Sequence, residues 1–188
     1  GKGLVFLEVS ADREVVYPMQ PFLVEFEVFV RELPPEAGRP EVDPLLLLRR
    51  RLPALYVPWV DVPDGLRSND LNSWMGTHMS SGYGFTINNL SSGTSILRSE
   101  AIFLPPAEWV ERPDENGVTR RYRRYSLSRR FVPHGVGEYS FGPVTFQGEV
   151  VSGVSNNQWV TSEVFTLSNV VEVEVRRPPE EGRPADFT

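Results

Sequence analysis

The chain has 188 residues, 40% of them hydrophobic and 11% aromatic, and a net charge of −6. That length suits one large domain or two small ones, and a chain of this size buries roughly 70% of the surface its unfolded form exposes, so its core needs no disulfide or metal. The absence of cysteine removes thiol nucleophiles, thiolate metal sites and disulfides together, and the negative charge turns the molecule as a whole away from nucleic acid and anionic membrane.

Residues 4–10 are β-branched and aromatic-rich and read as a strand, ended by the polar turn Ala11-Asp12-Arg13-Glu14. Pro18 and Pro21 bracket the entry to the next strand. There Phe22, Val24, Phe26, Val28 and Val30 alternate with Leu23, Glu25, Glu27 and Phe29, the period of two of a half-buried strand. Leu33 to Gly38 is a Pro/Glu/Gly loop. Asp43-Pro44 ahead of Leu45 to Arg51 predicts a short helix with Asp as cap and Pro at its first position. The apolar run Leu45 to Leu48 falls far short of the roughly 20 residues that a membrane-spanning helix needs. Leu55 to Val62, with prolines at 58 and 63, suits an edge strand or extended segment.

Residues 64–95 are rich in Ser, Asn and Gly and offer one strand candidate, Tyr83 to Ile87, with a further strand expected over Ile96 to Leu104. Asp114-Glu115-Asn116-Gly117 is a turn, and its Asn-Gly step favours a hairpin with both turn residues at positive φ. Val118 to Val132 forms a long strand, broken by Pro133-His134-Gly135-Val136-Gly137. Glu138 to Phe146 returns, with Pro143 expected at a bulge or edge. Trp159 to Leu167 and Val170 to Val175 close the sheet, with Val171, Val173 and Val175 facing in and Glu172 and Glu174 facing out.

Strands joined by turns, without an amphipathic helix of more than two turns, predict an all-β protein. The expected form is an immunoglobulin-like antiparallel β-sandwich over 1–177, with a long loop-rich insertion at about 33–118. That stretch is too long for a plain connection. Residues 178–188 read as a linker toward a further domain. The opening Gly1-Lys2-Gly3-Leu4, with no initiator Met, reads as a processed or engineered start, so the lack of a targeting segment excludes nothing.

Several pieces then line up in order. Val5-Phe6-Leu7-Glu8-Val9-Ser10-Ala11-Asp12 is followed by Val15-Val16-Tyr17 and Pro21-Phe22, and later by Arg124-Tyr125-Ser126-Leu127 and Gly137-Glu138-Tyr139-Ser140-Phe141-Gly142-Pro143-Val144. Ser168-Asn169-Val170-Val171-Glu172-Val173-Glu174-Val175 precedes a closing Gly182-Arg183-Pro184-Ala185-Asp186-Phe187. The chain thus resembles the BatD-like, or oxygen-tolerance, family of bacterial exported proteins over residues 4–32 and 119–188; the 33–118 stretch departs from it. The resemblance implies a tandem immunoglobulin-like protein of the periplasm or cell envelope, anchored in the membrane only by segments outside this chain. It further implies von Willebrand A-type membrane proteins as partners, a link to aerotolerance or to oxidative or envelope stress, and no catalytic residues or cofactor.

Chemistry-bearing residues are few. His78 and His134 are the only histidines, and no Gly-x-Ser-x-Gly elbow accompanies them. Asp61, Asp64 and Asp70 lie in loop sequence, where acids serve solubility. Met75, His78 and Met79 offer thioether and imidazole ligands suited to copper(I), although the plainer reading is a partly packed loop. Arg120, Arg121, Tyr122, Arg123, Arg124 and Tyr125, with Arg129 and Arg130 beyond, form a basic, aromatic-interleaved patch. That pattern fits stacked bases and held phosphates, an acidic protein partner, or a solvated sheet face paired with acids such as Glu172 and Glu174; the negative charge favours the last over nucleic acid. Trp59, Trp74, Trp109 and Trp159 lie in or beside loop sequence, where the plainer reading has them cap the open ends of the sandwich; Trp59, Trp74 and Tyr83 would otherwise serve a carbohydrate- or ligand-binding sandwich. The leading expectation is a non-catalytic protein–protein interaction module, with that ligand-binding module as the alternative.

Overall fold

In the computed structural model, which describes residues 3–92 and 99–179, the strands run in chain order as follows. They are β1 (Val5–Ala11), β2 (Val15–Val16), β3 (Phe22–Arg31), β4 (Ala54–Tyr56), β5 (Leu66–Ser68), β6 (Met79–Ser80), β7 (Thr86–Ile87), β8 (Ser91–Ser92), β9 (Ser99–Glu100), β10 (Ile102–Phe103), β11 (Ala107–Pro113), β12 (Thr119–Pro133), β13 (Gly137–Phe141), β14 (Thr145–Ser155), β15 (Gln158–Leu167) and β16 (Val171–Val175). One short helix, α1 (Leu71–Met75), and several 3₁₀ turns join them. The fold is an all-β sandwich of antiparallel sheets, and no helix among the described residues is long and apolar enough to cross a membrane.

Alternation builds the first layer, β1-β3-β12-β11, with β5 on the far end of β12. Phe22, Val24, Phe26, Val28 and Val30 all lie within the core, as a period of two requires. Their partners across β12 are Phe131, Arg129, Leu127, Tyr125 and Arg123, so two arginines occupy inward positions. On the outer face Phe29 is buried as well. Arg112 covers it and Phe6, its guanidinium 4.5 and 4.2 Å from their ring centres.

The second layer rests on one long ribbon. β13 pairs with β16 and β14 with β15, and Gly137↔Val175, Phe141↔Val171 and Thr145↔Leu167 keep a single register across the break at Gly142–Val144. Pro143 sits in that break, after a cis peptide bond. The break is sealed by Ser168, whose N–H donates to the Val144 carbonyl (2.8 Å) while its Oγ accepts from the Val144 N–H (2.7 Å). Next to it, the Asn169 amide accepts from the Val9 N–H at 2.8 Å and donates to the Val9 carbonyl at 2.9 Å, clipping the edge of β1 to the ribbon. β2 adds to β16 in parallel, and β4 adds to β14. Val173 and Val175 face inward as expected.

The 33–118 stretch proves integral to the sandwich. It supplies β11 and β5 to the first layer and β4 to the second, and β4 lies between β14 and β7 where an edge strand or extended segment was expected. Asp43 does cap the segment after it, its carboxylate accepting from the Leu45 N–H at 2.9 Å, but Pro44–Leu48 is a 3₁₀ helix. Side chains three apart eclipse in that helix, so Leu45 and Leu48 go into the core together. At the β11–β12 turn only Gly117 takes positive φ (77°), because Asp114 Oδ1 accepts from the Asn116 and Val118 N–H groups and shapes the turn itself. The strand expected over Ile96 to Leu104 appears as β9 and β10, with residues 96–98 outside those described. Residues 180–188, and with them most of the expected linker and the Gly182-to-Phe187 ending, also lie outside.

Arg129 fastens the stretch. Its residue is 2% exposed, and its guanidinium donates to the carbonyls of Trp59 (2.6 Å), Val60 (3.1 Å) and Asn69 (2.6 Å). It also stacks 4.4 Å from the centre of the Trp74 indole, whose N–H donates to the neighbouring Ser128 carbonyl at 2.8 Å. Burial lowers the Arg129 pKa, with the Asp61 and Asp70 charges partly opposing the shift. Replacing Arg129 by Leu leaves those carbonyls without donors, at about 1–3 kcal/mol for each group that water does not reach. The expected loss of unfolding free energy is roughly 3–5 kcal/mol, measured by urea denaturation followed through tryptophan fluorescence. Arg129→Lys keeps the charge without the planar fork and falls in between. A loss below about 1 kcal/mol for Arg129→Leu contradicts the role given to this residue.

Candidate contact surface

The basic patch of β12 is consumed inside the molecule. Alternation divides it between the faces of the first layer, with Arg121 and Arg123 inward and Arg120, Tyr122 and Arg124 outward. Arg121 lies 4.0 Å over the Trp109 ring, pairs with Glu32 at 3.3 Å and Glu41 at 3.4 Å, and donates to the Pro40 carbonyl at 2.9 Å. Arg123 lies 3.8 Å from Asp43, and Arg124 bridges Glu27 at 3.2 Å and Glu108 at 2.8 Å. Arg120 pairs with Asp114 at 3.0 Å, which lowers the Asp114 pKa. The acids that take these arginines belong to β3, to Glu32 just after it, and to the 33–118 stretch. Glu172 and Glu174, expected as partners, sit on the other layer, where Glu174 pairs with Arg176 at 3.0 Å.

Both tyrosines of the patch are fully buried. The Tyr122 hydroxyl donates to the Gly3 carbonyl at 2.8 Å, and its ring meets Phe6 edge-on at 5.5 Å. The Tyr125 hydroxyl donates to Asp43, the carboxylate that caps the 3₁₀ helix. Tyr83 is half-buried nearby, its pKa raised by burial and then by the Asp43 charge.

The tryptophan expectation fails on burial. Trp59 is 1% exposed, wedged against Phe26 (6.2 Å) and Phe141 (6.0 Å), and Trp74 is 4% exposed beneath Arg129. Neither offers a ring face for a sugar to stack on. Trp109 and Trp159 belong to strands β11 and β15. Met75 is buried while Met79 is exposed; both line a small groove of about 190 Å³ between α1 and β10, and His78 is not part of its wall. Among the described residues no group of three His, Cys, Asp or Glu side chains stands as a metal-ligand cluster. Asp70 caps α1, accepting from the Ser73 N–H at 2.7 Å, and this bond lowers its pKa.

The exposed apolar surface lies on the ribbon instead. Asn156 and Asn157 at φ 52° and 60° form the tight turn that joins β14 to β15. β15 pairs with β14 alone and is the outer strand of its sheet. Across the outward face the register sets Tyr56, Thr145 and Leu167 in one row and Ala54, Gln147 and Phe165 in the next. Phe165 is 65% exposed, Leu167 52% and Tyr56 51%. The edge of β15 borders a groove of about 410 Å³ whose opposite wall is Gly3, Val5 and Phe6. A long edge with large exposed apolar side chains is a template for another chain, and Glu163 within it is the kind of charge that discourages aggregation. The Asn156-Asn157 step ahead of the run from Trp159 to Leu167 is the one local sign of this hairpin in the sequence.

Comparison with family models, with curated proteins and with solved structures found no match to this chain.

Burial, then the Asp43 charge, raises the Tyr125 phenol well above its ordinary pKa. The unfolded phenol titrates near about 10, so this group leaves stability intact below that pH and removes it as pH climbs toward the higher native value. In a near-ultraviolet absorbance titration, wild type and Tyr125→Phe should release equal phenolate signal while folded. Wild type should then gain one further tyrosine on alkaline unfolding. A native-state signal that drops with the Tyr125→Phe change contradicts the burial of this hydroxyl against Asp43.

Proposed function

We propose that the chain is a non-catalytic protein–protein interaction module of an exported, BatD-like envelope protein, built on an immunoglobulin-like strand order. Counting β13 with β14 and β15 with β16 as single strands, and leaving out β2 and β5 to β10, one layer runs first-second-fifth-fourth and the other third-sixth-seventh, an order that supports the constant-type immunoglobulin reading. The outward face of β15, β14 and β4 carries the proposal, because Phe165, Leu167 and Tyr56 stand exposed in adjacent rows. Contact residues of this type supply most of the energy of an interface when water is excluded around them. The partner in this reading is a von Willebrand A-type membrane protein of the envelope. The whole protein is held to the membrane by segments outside this chain and serves oxygen tolerance or the response to oxidative or envelope stress.

The test is a titration of the purified von Willebrand A-type domain with wild type, Phe165→Asp and Leu167→Asp. Each substitution should weaken the complex at least about tenfold, equivalent to roughly 1.4 kcal/mol, while the thermal midpoint and circular dichroism stay those of wild type. An affinity unmoved by both substitutions removes this face from the interface, and no complex with wild type removes the partner.

A further inference from the structure

Three of the arginines left without an ion pair among the described residues gather in one place, whereas Arg13, Arg67, Arg130 and Arg177 are scattered. Arg39, Arg49 and Arg50 are exposed and form no ion pair among the described residues, and Arg51 reaches Glu149 at 3.1 Å while its side chain stays 74% exposed. With the half-buried Leu46 and Leu47 they line an open groove of about 560 Å³ that runs to Thr161 on β15. We infer that this groove docks an acidic segment of a partner protein, one that inserts an apolar side chain between Leu46 and Leu47 and sets carboxylates against Arg39, Arg49 and Arg50.

Charge complementarity argues for the occupant. The molecule carries a net charge of −6, so a cluster of unpaired guanidiniums is a local inversion of its field and steers an anionic partner to one spot. Helix electrostatics do not account for the cluster, since the end of a single 3₁₀ helix is complemented by a cation in its last turn. Arginine also matches carboxylates in a way that favours this site, because its planar fork takes both oxygens at once.

The groove is held rigid from beneath. Leu45 and Leu48 are anchored in the core, and Asp43, which caps the 3₁₀ helix, is gripped by Tyr125 and lies 3.8 Å from Arg123. A site ordered before binding keeps more of its contact energy as affinity. A lipid surface fits less well. The site is concave, Glu149 stands in its wall, and the molecule's overall charge repels an anionic leaflet.

This inference rests on the reading of the chain as an interaction module and adds the surface and the chemistry of the bound segment. The test uses the whole chain and a fluorescein-labelled glutamate-rich peptide carrying one leucine, followed by anisotropy at low and at physiological salt. The controls are its lysine-rich counterpart and phosphatidylglycerol vesicles. The glutamate peptide should bind, and weaken with added salt. Arg49→Glu combined with Arg50→Glu should cost at least about tenfold in affinity, and Leu46→Ser with Leu47→Ser a smaller loss. Arg13→Glu, which lines a different groove, should change nothing.

Several results overturn the inference: no binding at low salt, binding indifferent to the double reversal, or capture of vesicles without the peptide. If Phe165→Asp releases the von Willebrand A-type domain yet the peptide never binds, the interaction reading stands and the acidic groove falls. If the peptide binds and responds to Arg49 and Arg50 while no complex forms with that domain, the groove stands and the named partner falls.

Discussion

Arg129 stands where the alternation of β12 calls for an apolar side chain, opposite Val24 and two residues from Phe131. A guanidinium at that depth is tolerated only if most of its donors are met, because stranding a buried charge costs far more than the hydrogen bonds return. The chain meets those of its two terminal nitrogens with main-chain carbonyls at Trp59, Val60 and Asn69, and leaves the Nε–H buried without a partner. Those residues must therefore fold back onto the sheet, bringing Trp59 and Trp74 into the core with them. One buried cation converts what composition presents as a loose excursion into part of the sandwich wall.

Other arginines of β12, with Arg112 of β11, extend the same logic outward. Arg121 and Arg123 face inward at the end of the strand and hold Glu32, Glu41 and Asp43, while Arg120, Arg124 and Arg112 tie down acids on the outer face. Individually, partly exposed pairs of this kind contribute little. Together with the stacking on Trp109 and Phe29 they decide where the chain between β3 and β11 lies. The consequence for function is a redistribution. The densest basic run of the sequence is spent on architecture, and the exposed features that remain include the apolar face of the ribbon and the arginines around Leu46 and Leu47.

Much of the layering was legible because it depends on a local period. Phe22 to Val30 alternates with glutamates, and Val171 to Val175 does the same, so both strands and their inward faces could be assigned from side-chain order alone. Asp43-Pro44 announced its cap, and Asn116-Gly117 its turn. The hairpin of β14 and β15 was only half legible, since Gly148, Gly153 and a bulge between Val151 and Gly153 blur the period of β14. At the candidate site the pairing of the β12 arginines with acids was legible, but not which acids they meet nor the depth of Trp59 and Trp74. Aromatic and basic residues in irregular sequence look exposed, and nothing local distinguishes the buried Trp59 and Trp74 from a binding platform.

What the amino-acid order determined by itself was the strand content, the two-faced character of each strand and the polarity of its turns, because these follow from interactions between residues a few positions apart. Which arginines would be buried or left in solvent, and whether residues 33–118 would join the sandwich, was decided only in three dimensions. A guanidinium's environment depends on carbonyls and carboxylates far away along the chain, from Trp59 to Arg129 and from Glu32 to Arg121. No period in the sequence encodes such a meeting; the cost of leaving a polar group unpaired in the core enforces it.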